Sequence, residues 1–269
     1  MHQTKISPDL LTEKSVYAIV LMKPSDKALL GLFTEENQES KFVLYKEFSS
    51  SSPMELVNIL DETKPINLQL ISTSSDFTLI PRALFSDAHD DDRKWLEHLP
   101  GKFEREVVLS EMDKKDSFKL VFSESAAACE FFSQLMPNTK IRHIVSVFNE
   151  NCTENRLASI WTKVICFFLD KKFFAIAYKN NDIRLANSFE FEVPADVLYY
   201  LLWIKKEIYG DGLEIPFYLN GMISEDSKIF GLLKAYLKDL NFGTGSREGK
   251  PSNELLPPFH TLGVLLNKD

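Results

Sequence analysis

The residue types in this chain that could do chemistry are few, and their spacing removes most of the reactions they suggest. Gly243, Gly245, Gly249 and Lys250 have the composition of a phosphate loop. A dinucleotide-binding turn, however, would need glycine where Glu248 stands, and a Walker loop would need glycine at Thr244 and serine or threonine at Pro251. The run also follows a helical pattern rather than a strand, so it reads as a surface loop. His89, Asp90, Asp91, Asp92 and His98 are metal-ligating types, but consecutive residues point in different directions on any regular element. That acidic run reads as a solvated face or a helix entry. His143 and His260 have no partner at ligand or triad spacing, and no HExxH, CxxC or GxSxG occurs. Zinc hydrolase, dithiol redox and serine esterase chemistry therefore lack their defining residues. No catalytic residue, metal ligand or cofactor is assigned.

Composition narrows the partners. Hydrophobic residues at 44% and charged residues at 26% describe a soluble globular chain long enough for one large domain or two compact ones. With 31 basic against 39 acidic residues the net charge is −8, and no long basic run breaks it, so a nucleic-acid backbone would be repelled. Cys129, Cys152 and Cys166 are odd in number and far apart, and two of them sit in apolar periodic segments. They read as small buried hydrophobes in a reducing compartment. Met1 to Asp9 is polar, unlike a secretory leader, and the longest apolar runs, Val16 to Met22 and Val164 to Leu169, fall far short of the roughly 20 residues of a spanning helix. The expectation is a cytoplasmic protein with no membrane partner.

The elements that would position a site are clearest in the second half. Lys163 to Leu169, Lys172 to Tyr178 and Ile183 to Phe191 read as strands joined by tight turns, the second turn holding Asn180 and Asn181. Pro194 and Asp196 open a helix with Val197, Leu201, Ile204 and Ile208 on one stripe, stopped by Gly210 and Gly212. Ile215 to Leu219 is a strand, and Ser224 caps a helix with Ile229, Leu233, Tyr236 and Leu240 on one face. Phe259 to Leu266 is a short terminal segment. The first half repeats the order more loosely. Val16 to Met22, Ala28 to Phe33 and Lys41 to Phe48 are strands; Pro53 starts a helix that Lys64 and Pro65 stop; Ile66 to Ile71 is a fourth strand. Phe77 to Leu109 is irregular, with Pro81 at a helix start and Asp90 to Leu99 helical, and Phe118 to Phe122 is a strand after which Ser123 caps a helix. Strands that pair antiparallel and then feed a helical crossover give mixed α/β sheets with helices on their faces.

That order, three strands, a helix and a strand, resembles one half of an actin-like fold. Three stretches carry a closer resemblance: Leu185 to Phe191, reading LANSFEF; Pro194 to Leu202, reading PADVLYYLL; and Phe217 to Gly221, reading FYLNG. With Phe77 to Phe85, reading FTLIPRALF, they are similar to a bacterial domain-of-unknown-function family. The resemblance implies an actin-like ATPase fold of the ribonuclease H-like kind, built as two βββαβ-type halves, 1–150 and 151–269, around a cleft. It implies no established catalytic residues.

What such a fold would do depends on its turns. Actin-like ATPases hold phosphates in the turn after the first strand of each half, where glycines let backbone amides approach the anion. The corresponding turns here, Lys23 to Lys27 and Asp170 with Lys171, contain no glycine, and the second is too short to wrap a phosphate. Asp170 is the only carboxylate placed to hold a magnesium ion through water, and several converging carboxylates would be needed for a two-metal nuclease. Asn220 and Gly221 stand between a strand and a helix at the mouth of the expected cleft, so they join Asp170 and Lys171 as the ligand-binding candidates. Tyr199, Tyr200 and Trp203 exceed what one helix stripe can bury and are expected to pack against the other half. The leading expectation is a non-enzymatic binding or scaffolding protein with a degenerate nucleotide cleft and a protein partner. The alternatives are a divergent nucleotide-dependent ATPase or phosphotransferase, and a sensor holding a small molecule or nucleotide between the halves.

Overall fold

The computed structural model describes residues 16–23, 27–36, 39–49, 53–84, 92–97, 106–154 and 160–243. The chain divides into two compact units, one ending at Val147 and the other beginning at Phe148.

In the first unit the apolar run that opens the sequence reading becomes β1 (Val16–Lys23), with Ala18, Ile19, Val20 and Leu21 fully buried because both faces of the sheet are covered. β2 (Lys27–Glu36) pairs antiparallel with β1, and β3 (Glu39–Ser49) pairs antiparallel with β2. α1 (Pro53–Thr63) begins on its proline and ends where Lys64 turns to a positive φ of 41° and donates its N–H to the Leu60 carbonyl. The chain then crosses over to β4 (Asn67–Ser72), parallel to β1.

A separate three-stranded sheet follows, made of β5 (Phe77–Pro81), β6 (Glu106–Met112) and β7 (Phe118–Ser125) in the order β5-β7-β6. This corrects three expectations. Pro81 ends a strand and is followed by a single 3-10 turn, Arg82–Leu84. The helix expected over Asp90 to Leu99 is one 3-10 turn, Asp92–Trp95, as far as the described residues extend. Ser123 remains in β7, where its N–H donates to the Asp76 carbonyl, and Ser125 caps α2 (Ala126–Leu135) by accepting from the Ala128 N–H. β8 (Ile141–His143) adds parallel to β4 and leads into α3 (Ile144–Glu154), two elements the sequence reading missed. The main sheet has the order β3-β2-β1-β4-β8. Val16, Val20 and Met22 pack with Leu56 of α1 and Phe132 of α2 on one of its faces.

In the second unit β9 (Lys163–Phe168), β10 (Lys172–Lys179) and β11 (Asp182–Glu190) form an antiparallel meander. Its second turn places Asn180 and Asn181 at φ 56° and 69°, the left-handed pair that a two-residue hairpin requires. α4 (Pro194–Ile204) buries Val197, Leu201 and Ile204. It then widens into a π turn, Lys205–Tyr209, whose extra residue buries Tyr209 where the helical period predicted Ile208. β12 (Phe217–Gly221) lies parallel to β9, and β13 (Leu240–Phe242) lies parallel to β12 beyond α5 (Lys228–Tyr236). Ser227, not Ser224, caps α5 by accepting from the Phe230 N–H at 3.1 Å. The buried residues of α5 are accordingly Phe230 and Leu233, while Tyr236 is exposed and Leu240 belongs to a strand. The sheet order β11-β10-β9-β12-β13 matches that of the first unit strand for strand and direction for direction.

Candidate functional site

In open sheets with parallel strands, ligands bind outside the carboxyl ends of those strands. β9 and β12 are such a pair, and their register sets Asn220 beside Phe167 and Gly221 beside Phe168. The turn holding Asp170 and Lys171 leaves β9 at the same end, so the four candidate residues share one edge of the sheet.

The local geometry at that edge is closed. The Leu169 N–H donates to the Lys172 carbonyl at 2.8 Å, and the Phe191 N–H donates to the Lys171 carbonyl at 3.0 Å, so the bend is tied on both sides. The side chains of Asp170 and Lys171 face solvent, and neither residue takes a positive φ. Gly221 does, at 83°, and a Cβ there would fall 2.2 Å from the Phe168 carbonyl oxygen and 2.8 Å from its nitrogen. The backbones touch because the Met222 N–H donates to that same carbonyl at 2.9 Å. Asn220 is turned inward: its buried side chain donates from Nδ2 to the Cys166 carbonyl at 3.4 Å, and its Oδ1 has no partner among the described residues.

The equivalent edge of the first unit is richer in polar groups. Met22 stands beside Ser72, and Thr73 donates its N–H and its hydroxyl to the Met22 carbonyl, at 3.2 and 2.6 Å. This is the contact Met222 makes with Phe168. The Ser72 hydroxyl donates to Glu124, and the Ser74 N–H to Ser72 Oγ at 3.1 Å. His143 lies buried between the rings of Phe77 and Phe122; its Nδ1 accepts from the Val145 N–H at 3.3 Å and its Nε2 is 3.0 Å from the Ser74 carbonyl. That pattern fixes a neutral ring with the proton on Nε2. Glu111 accepts from Arg142 Nε at 3.0 Å and from the His143 N–H. Serine, imidazole and carboxylate thus meet here, but with Nδ1 occupied by a backbone donor the ring is not a base for Ser72. The cluster ties β4 to β7 through Ser72 and Glu124, and β8 to β6 through Glu111. Its only mark in the sequence is the hydroxyl run Ser72 to Ser75 at the end of an apolar strand.

Other reactive types are quenched by burial. The Cys166 thiol is pushed far above its ordinary range by burial, and that of Cys129 to about 11 by burial and by the charge of Glu124; both are free. The Tyr209 phenol is likewise raised by burial and by the neighbouring Cys166, and its oxygen lies 2.9 Å from the carbonyls of both Lys163 and Tyr178. It is held as a donor. A shallow depression of about 440 Å3 lies at the opposite end of β10, lined by Lys179, Asn180, Arg184, Glu207 and Ile208. There Lys179 Nζ donates to the Ile208 carbonyl at 3.0 Å and Arg184 pairs with Asp182 at 3.2 Å.

Among the described residues no three His, Cys, Asp or Glu side chains are placed to hold a metal, and no helix is long and apolar enough to cross a membrane. Asp90, Asp91, His89, His98, His260, the turn at Pro24 to Asp26, the terminal segment Phe259 to Leu266, and Gly245, Gly249 and Lys250 lie outside the described residues.

Comparison with known proteins fits this architecture. The sequence model of a family described as "Protein of unknown function (DUF3822)" matches residues 36–240. A solved protein of Bacteroides thetaiotaomicron VPI-5482, described as having an actin-like ATPase fold and unknown function, is similar with a TM-score of 0.67 at 19% identity, over 90% of this chain and 94% of that one. A chain of the PilM-PilN type IV pilus biogenesis complex is similar with a TM-score of 0.54 at 12% identity, over 93% of this chain and 97% of that one. No curated protein matches the chain. At these identities the likeness shows the fold, which is the actin-like ATPase fold.

Proposed function

This chain belongs to the DUF3822 family of proteins of unknown function, and we propose that in it the actin-like ATPase fold serves as a binding or scaffolding platform rather than as a nucleotide-driven enzyme. The reading takes residues 1–150 and 151–269 as the two halves of that fold. The observation that carries it is the Asp170–Lys171 bend. A phosphate needs several backbone N–H groups turned toward one point, which glycine-rich turns provide. Here the bend is two residues long, lacks glycine and is closed by the Leu169 and Phe191 amides. The facing amide of Met222 is spent on Phe168.

A partner role draws support from PilM, whose similar fold is found in a complex with PilN. The free thiols, half-buried Cys129 and buried Cys166, suit the reducing cytoplasm of a bacterial cell.

The second reading, a divergent ATPase or phosphotransferase, draws on two observations: Asp170 is exposed at the carboxyl end of a parallel strand, and Asn220 Oδ1 lacks a donor among the described residues. Calorimetric titration with ATP and ADP in the presence of magnesium separates the two. The platform reading expects no saturable binding tighter than about 100 μM, or about −5.5 kcal/mol. Saturable binding below that value, weakened by Asp170→Ala, would establish the second reading instead.

A further inference from the structure

We draw no further inference here: the strongest candidate, the outward stripe of α4 that leaves Tyr199, Leu202 and Trp203 exposed, is an apolar helix face bordered by charges of both signs, Lys206 and Glu207 among them, and nothing in the structure shows what covers it.

Discussion

Gly221 is the residue on which the carboxyl edge of the second sheet closes. Two constraints act on it independently: a φ of 83°, which a side chain resists, and the Phe168 carbonyl oxygen 2.2 Å from where a Cβ would sit. Backbone cannot swing aside as a flexible side chain can, so Gly221→Ala has to separate β12 from β9 or break the Met222 to Phe168 hydrogen bond. Either route is expected to cost roughly 2–4 kcal/mol, combining the strain of the left-handed conformation with a lost buried hydrogen bond. Urea denaturation should show a lower midpoint with an unchanged slope; a midpoint within experimental error of the parent would refute the account. The sequence made Gly221 visible, because a glycine between a strand and a helix has few uses. It did not reveal that Asn220 would turn inward to Cys166, since which neighbour faces Asn220 depends on the register of β9 against β12. For the same reason His143 looked isolated in the sequence. Its partners Ser74 and Phe77 are nearly seventy positions away, with Ser74 at a separation of 69, and come to it only through the pairing of β4 with β8.

At the scale of an element, α4 illustrates what periodicity can and cannot specify. The spacing of Val197, Leu201 and Ile204 located the helix and its buried face, and Pro194 fixed its start. The π turn at Lys205–Tyr209 has no comparable signature, because the two carbonyls that draw in the Tyr209 hydroxyl belong to β9 and β10. Helix starts at serine were misplaced by two or three residues for α2 and α5, since each has a second serine nearby and only tertiary pairing decides which one caps. At the start of α4 the capping group is Asp196, which holds the Glu192 and Val193 N–H groups at 2.9 and 3.0 Å. Those hydrogen bonds hold its carboxyl below the usual carboxylate range. A carboxylate whose folded value is depressed stabilises the fold fully above its unfolded value, near pH 4, and loses that contribution as pH falls through the folded value. Asp196→Ala is therefore expected to lower Tm at pH 7, with the gap to the parent closing as the pH is brought down toward 3. Thermal melts across that range check the sign, and a gap that widens in acid would contradict it.

At the scale of the molecule, the repeated strand order was legible and the insertion between its parts was not. Three strands, a helix and a strand could be read in each half because each is bounded by strong turn chemistry, such as Asn180 with Asn181, or by prolines at helix starts. Of the sheet of β5, β6 and β7 only β7 was legible, through Phe118 to Phe122; β5 is five residues long and ends on Pro81, and no residue of β6 is buried, so alternation does not mark them. One core cluster of the second unit is drawn from a single stretch of chain: Val164, Cys166, Phe168, Phe173, Val197, Leu201, Phe217 and Leu233 all belong to it, and β9 through β13 supply all the strands of its sheet. A fragment of residues 144–269, which keeps α3 whole, is thus expected to unfold cooperatively by itself, with its slowest amide exchange in β9, β10 and β12. Phe173 is the position at which to test that core. It is fully buried and stacks on Phe168 and Phe189 at 5.1 and 5.3 Å. Phe173→Ala should cost about 3–5 kcal/mol, a large share of the roughly 5–15 kcal/mol that holds a domain folded. If the fragment melted without a cooperative transition, or if the substitution changed its midpoint no more than an exposed substitution such as Tyr236→Ala, the core assigned to this unit would not be what holds it together.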